Sequence, residues 1–532
     1  MTPALIRRSI LVPLIAGLCA GTPAISQQIT PFVHSMAVAA AKDEVLAAFY
    51  RESRYRPIWV GSDRMALERR AALLHALDKA EMHGLPRPDT DAAALRALMA
   101  RATDPAQRAA VEVELTRVFL DLAAELSTGI LTPSRVVPDI KRDIPTVDRV
   151  RMLADFAAAP HPRAFVETLP PSSQEYTRLV REKLKLERIM ATGGWGADIP
   201  DAGLRQGASG PAVVALRDRL IAMGYLRRSA TQVFDAAMTA AVTAFQADFG
   251  LAEDGIVGGR TLAEMNRPPR DRLGQILVSM ERERWLNRDL GQKHIWVNLT
   301  DFRTRIVIDG ETFFETKSVI GSNANGRRTP EFSDEMDHMV INPSWYVPRS
   351  IVVNEYLPAL RSNPYAHGHM QLIDSRGRVV PRGRSLAGYS ARSFPYSMKQ
   401  PPSPRNALGL VKFMFPNKYN IYLHDTPSKS LFDRTVRAFS HGCIRLNDPF
   451  EFGYALLSLQ TDDPEGEFQR HLRTGRESRV NLAKPLPVHI VYRTALTKPG
   501  GGMEYRDDIY GRDARILEAL LEAGVALPAP QS

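Results

Sequence analysis

The hydrophobic period of this 532-residue chain changes partway along its length, and that change limits the folds open to it. From about residue 30 to 190 apolar residues recur at helical spacing, as in Leu115, Val118, Phe119, Leu122 and Leu126 at i, i+3, i+4, i+7 and i+11. From Lys293 they alternate instead. Ile295, Val297 and Leu299 share one face, and residues 305–308 lead through the turn Asp309-Gly310 into 311–320 as a β-hairpin. A helical pattern does not settle as a strand, nor a strand pattern as a helix, so the chain reads as multidomain α+β with a helical first part and a β-rich second part.

Turn residues mark the joints. Residues 192–211 carry six glycines and two prolines, which separates an α-helical scaffold at 30–195 from a compact unit at 204–266. In that unit Pro211 opens a helix with Val213, Leu216, Leu220 and Met223 on one face, closed by Gly224. A second helix starts near Asp235 with Ala241, Val242, Phe245 and Phe249 facing inward, and a turn at 253–258 leads to a third at 261–265. The β-rich domain runs from 290 to 495. It is interrupted at about 345–395 by a Pro-, Tyr- and Arg-rich insertion with one short helix at 352–360, which reads as a lid. Residues 496–532 form a Gly-rich turn and a C-terminal helix at 514–523.

Composition narrows the function. The balance of 69 Lys+Arg against 59 Asp+Glu gives +10 without a run of five or six basic residues, which makes nucleic acid a poor partner. Arg7 and Arg8, an apolar run at 10–20 and the small residues ending Ala24-Ile25-Ser26 read as a secretory signal at 1–26. The run is well short of the roughly 20 residues that span a bilayer, and no other segment could span, so export with cleavage near Ser26 is expected. Cleavage would remove Cys19 and leave Cys443 as the sole thiol, either buried and inert or kept for reactivity.

Its surroundings point to reactivity. Cys443 lies in Phe439-Ser440-His441-Gly442-Cys443-Ile444-Arg445, downstream of His424 in Ile421-Tyr422-Leu423-His424-Asp425. A thiol of pKa about 8.5 is mostly protonated near neutral pH and needs a base or cation beside it. His424 can be that base, while Gly442 allows the close backbone approach that an oxyanion hole needs. His441, two residues from Cys443, would point to the same side on an extended backbone.

These two segments resemble the catalytic motif of the L,D-transpeptidases (YkuD type), in which a His precedes a Ser/Thr-x-Gly-Cys-x-Arg element. The unit at 204–266, with Ala244-Phe245-Gln246 and Asp254-Gly255, resembles the three-helix peptidoglycan-binding repeat. Together with the lid, 404–409 and 506–511, the chain looks like the large periplasmic enzymes of Gram-negative bacteria. The resemblance implies that Cys443 is the acylated nucleophile and His424 its base, with Ser440, His441 and Gly442 in the surrounding loop. Arg445 would position a substrate carboxylate or serve as a structural ion-pair partner. Tyr422 would donate to the oxyanion or simply pack. Many members have Gly where this chain has Asp425, which leaves the group orienting His424 open.

The implied reaction forms 3→3 cross-links between stem peptides, from a donor tetrapeptide to an acceptor diaminopimelate amine. No metal or organic cofactor is needed, and carbapenem-type β-lactams would act as inhibitors. The small repeat would raise the local substrate concentration without touching the chemistry. Two rivals remain. His338 and His367-Gly368-His369 suggest a zinc peptidase, but the chain has no His-Glu-x-x-His and no third ligand at clear spacing. A non-catalytic wall-binding protein would not need an intact His424 and Cys443.

Overall fold

The computed structural model describes residues 30–86, 91–324 and 326–528; the expected signal segment at 1–26, with Cys19, lies outside them. The scaffold packs around the helix Pro105–Thr128, with Phe119 stacked on Phe156 in its core and Trp59 tilted against both. Its one deeply buried carboxylate among the described residues, Glu112, accepts hydrogen bonds from the Ile58, Trp59 and Val60 N–H groups, which is a structural use of the charge.

A second core is shared widely. Leu179 and Leu186 of the helix Gln174–Ala191 meet Leu216, Leu220 and Phe245 of the three-helix unit, and Met503, Tyr505, Ile516 and Leu520 from the end of the chain. The three-helix unit therefore does not stand apart on the surface; it completes its core with its neighbours. At the centre lies the helix Pro269–Trp285, in a stretch where the sequence pattern assigns no element. Nearly every residue from Arg272 to Trp285 is buried, so it lacks the polar face by which a surface helix is recognised.

The β-rich part contains β1 (Lys293–Asn298), β2 (Arg303–Ile308), β3 (Glu311–Gly321) and β4 (Phe332–Ile341) before the insertion. The insertion holds β5 (Trp345–Tyr346), β6 (Gln371–Ile373), β7 (Val379–Val380) and β8 (Ser397–Gln400). After it come β9 (Val411–Met414), β10 (Leu423–His424), β11 (Ala438–Ser440), β12 (Ile444–Leu446) and β13 (Ser478–Val491). A hairpin of β14 (Ala495–Thr497) and β15 (Met503–Tyr505) and the helix Arg512–Glu522 close the described chain. The main sheet has the order β11-β3-β12-β10-β9-β4-β13-β1-β2, and β2 also pairs β3, so the sheet closes on itself. The hairpin turn falls where the sequence places it, with Asp309 and Gly310 both at positive φ.

The insertion is more regular than its sequence suggests. It has its own core, including Val352, Leu357, Leu360 and Met398, and a four-stranded antiparallel sheet in the order β5-β8-β6-β7. The expected helix is there, running from Arg349 to Ser362, but its middle turn, Val352–Tyr356, is a π-helix. Strands of two to four residues leave too little alternation to read from sequence.

Candidate active site

Strand register builds the site. Leu423 pairs Ile444 in parallel and Phe413 in antiparallel fashion, and all three side chains are fully buried in the sheet core. Side chains alternate across a strand, so Lys412, Tyr422, His424, Cys443 and Arg445 all fall on the opposite face. Within that face Lys412, His424 and Arg445 occupy one rung, because His424 pairs both of the others. Tyr422 and Cys443 lie one rung back, where the Ile444 N–H donates to the Tyr422 carbonyl at 3.1 Å.

The loop carrying the thiol is tightly fixed. Gly442 sits at φ +122, a conformation that strains any other residue, and a Cβ there would also press on the end of the Ile421 side chain. Its carbonyl accepts from Thr329 Oγ1 at 2.7 Å, and its N–H donates to Ser440 Oγ at 3.1 Å. That N–H is therefore already committed within the loop. Ser440 Oγ in turn donates to the Cys443 carbonyl. Behind Thr329 stand Arg512, which donates to its carbonyl at 2.7 Å, and Tyr510, which donates to the Gly321 carbonyl, so the 506–512 segment braces the loop from below.

The same turn corrects the expectation for His441. The backbone is not extended through Gly442, and His441 swings toward the insertion, where Nε2 lies 2.7 Å from Glu355 Oε1. Glu355 also pairs Arg327 at 2.7 Å, so the π-helical turn is tied both to Arg327 and to the loop carrying the thiol. His424 is the imidazole on the face of the thiol. Its Nδ1 bonds the carbonyl of Asp425, which settles the orienting group as backbone and leaves Nε2 to take a proton. The Asp425 side chain does a separate job: Oδ2 accepts the Leu410 N–H at 2.9 Å, and the carboxyl stands where a Cβ on Gly409 would be.

The electrostatics hold both groups neutral at rest. Burial, then Arg445 and Lys412, depress the imidazole of His424 to about 3 against the pull of the Asp425 and Leu408 carbonyls. Burial pushes the Cys443 thiol up to about 11, outweighing the lowering influence of Tyr422, Arg445 and Lys412, and Sγ donates to the Asn420 carbonyl at 3.4 Å. Burial, then the neighbouring Cys443, raises the Tyr422 hydroxyl well above its ordinary value, against the lowering effect of Trp345. Arg445 forms no ion pair among the described residues, and its Nε is buried without a partner. Lys412 is absent from the motif that singles out the others. Its signal in the sequence is a lone cation between Val411 and Phe413, on the side of the strand opposite the core.

The zinc-type histidines are elsewhere. His367 and His369 lie in the insertion with rings 6.3 Å apart, and His338 Nδ1 bonds Asp337. Among the described residues no group of three or more His, Cys, Asp or Glu is placed to hold a metal ion.

This architecture is that of an acyltransferase domain joined to a three-helix unit of the peptidoglycan-binding kind. Residues 292–455 match the L,D-transpeptidase catalytic domain (YkuD), residues 209–265 the family described as "Putative peptidoglycan binding domain", and residues 44–182 a scaffold domain. The chain thus carries an L,D-transpeptidase catalytic domain, as the motif resemblance implies. A Haemophilus influenzae protein named "Putative L,D-transpeptidase" is 31% identical over 228 residues, 42% of this chain and 45% of that relative, so the chain spans about half of its length. Two solved L,D-transpeptidase structures are similar. The one from Xylanimonas cellulosilytica is 16% identical at TM-score 0.17, covering 55% of this chain and 100% of its own. The one from Stackebrandtia nassauensis is 15% identical at 0.22, covering 57% and 100%.

Proposed function

We propose that this protein is an exported peptidoglycan L,D-transpeptidase that forms 3→3 cross-links through a thioester on Cys443. The observation that carries this reading is the shared sheet face of Cys443, His424, Tyr422 and Arg445 inside the matched catalytic domain. In the first half-reaction Cys443 Sγ attacks the carbonyl of the third residue of a donor tetrapeptide, meso-diaminopimelate, and its proton passes to His424 Nε2. The S–C bond forms, the C–N bond to the terminal D-Ala breaks, and the imidazolium returns the proton to the departing amine. In the second, the side-chain amine of another stem attacks the thioester, an amide forms, and the thiol is restored.

Tyr422 supplies a donor toward the developing oxyanion, and Arg445 meets a donor carboxylate. The unit at 209–265 fits a role in holding the enzyme on the wall. A cleaved signal fits work in the periplasm; no helix among the described residues is long and apolar enough to cross a membrane. Incubating the purified protein with tetrapeptide muropeptides tests the reading by mass analysis. Dimers formed with loss of one D-Ala are expected from the wild type and not from Cys443→Ala. Absence of both dimers and free D-Ala would reject it.

A further inference from the structure

Lys412 is the group on the catalytic face that nothing so far explains. It is half-buried, its burial lowers its pKa, and no carboxylate pairs with it among the described residues. Glu477 acts on it only at longer range and is occupied by the Ser344 N–H. The Tyr422 ring lies 6.0 Å from its ammonium, which keeps the cation close to the thiol rung. Across the rung Arg445 is equally without a counter-ion, and its buried Nε is free. Two unpaired cations thus flank one imidazole on successive strands. Buried charge without a partner is costly, and its persistence in a cleft marks a place where a partner arrives from outside.

We propose that Lys412 is a specificity-determining residue of this site, forming with Arg445 a two-cation receptor for a carboxylate of the donor stem peptide. This rests on the transpeptidase reading. A stem donor offers two such groups: the terminal carboxylate of D-Ala and the side-chain carboxylate of its third residue. Either supplies the missing anion. Its arrival also changes the chemistry, because it offsets the two positive charges that oppose protonation of His424. The imidazole then accepts the thiol proton more readily as Sγ bonds to the carbonyl carbon. Substrates without the anion leave the base weak, so the receptor couples recognition to activation.

Acylation of Cys443 is followed by mass spectrometry with three peptides: the free-acid tetrapeptide, its C-terminal amide, and a version with lysine in place of diaminopimelate. The wild type should favour the free acid over at least one of the others by on the order of 10- to 100-fold in kcat/KM, the scale of a charge-assisted contact. Lys412→Met should shrink that preference to under about threefold by losing rate only where the carboxylate is present, and Lys412→Arg should keep it. A retained denaturation midpoint across the variants reports that the fold is intact. Equal wild-type rates with all three peptides would overturn the receptor, as would a Lys412→Met defect of the same size on each. Failure of every peptide to acylate the wild type would instead remove the transpeptidase reading beneath it.

Discussion

The helix Pro269–Trp285 and the catalytic face of the sheet both take positive charge out of water, but they treat it in opposite ways. In the helix every buried arginine of the Glu281-Arg282-Glu283-Arg284 run meets a carboxylate. Arg282 pairs Glu331 at 2.6 Å and Asp513 at 2.7 Å, Arg284 pairs Glu281 at 2.8 Å, and Glu283 pairs Arg493. Glu331 is shared with Arg512 at 3.0 Å, and Glu281 also accepts the Ile130 and Leu131 N–H groups of the scaffold. These pairs join the scaffold, the catalytic sheet and the C-terminal helix through one element. On the catalytic face Lys412 and Arg445 have no such partners. Internally satisfied charge fixes how the parts sit together, whereas unsatisfied charge marks where a ligand is to come.

If that distinction is right, removing a partner in the helix network is the most damaging change available outside the apolar core. Glu331→Leu takes from Arg282 one of its two carboxylates and from Arg512 its closest one, and should cost about 3–5 kcal/mol, read as a lowered denaturation midpoint. A loss under about 1 kcal/mol would break the comparison. A smaller but still large effect belongs to the rung itself. His424→Ala should slow acylation of Cys443 by about 10² or more, on the scale of lost acid-base catalysis, whereas His441→Ser, which faces Glu355, should cost under about tenfold. Rates reversed between these two variants would place the base on the loop and not on the rung. The smallest effect is the sharpest contrast with the helix. Lys412→Met removes a desolvated charge with no partner, so the midpoint should move by no more than about 0.5 kcal/mol or should rise. A loss comparable to that of Glu331→Leu would show that Lys412 is structural.

How legible these regions are in sequence follows the same division. The thiol, its base and Gly442 stand in two short segments whose residue types and order suffice to name them, and the Asp309-Gly310 hairpin is set by local turn chemistry. His441 misleads because its direction depends on the φ of Gly442, and the side-chain period of a strand does not report that angle. Lys412 joins the site only through the pairing of β9 with β10, a long-range register. The central helix escapes for a different reason. Its Glu and Arg residues read as a solvated face, and only partners 49 and 231 positions away in sequence make them interior. The sheet of the insertion, built from strands of two to four residues, carries too short a pattern to show alternation.

The central claim, that Cys443 is the nucleophile this face is built to serve, is tested most directly by intact-protein mass spectrometry after exposure to a carbapenem. A strained β-lactam carbonyl attacked by Sγ opens and stays attached as a thioester, so the wild type should gain the mass of one intact inhibitor. Cys443→Ala should gain nothing; the same adduct on that variant would contradict the account.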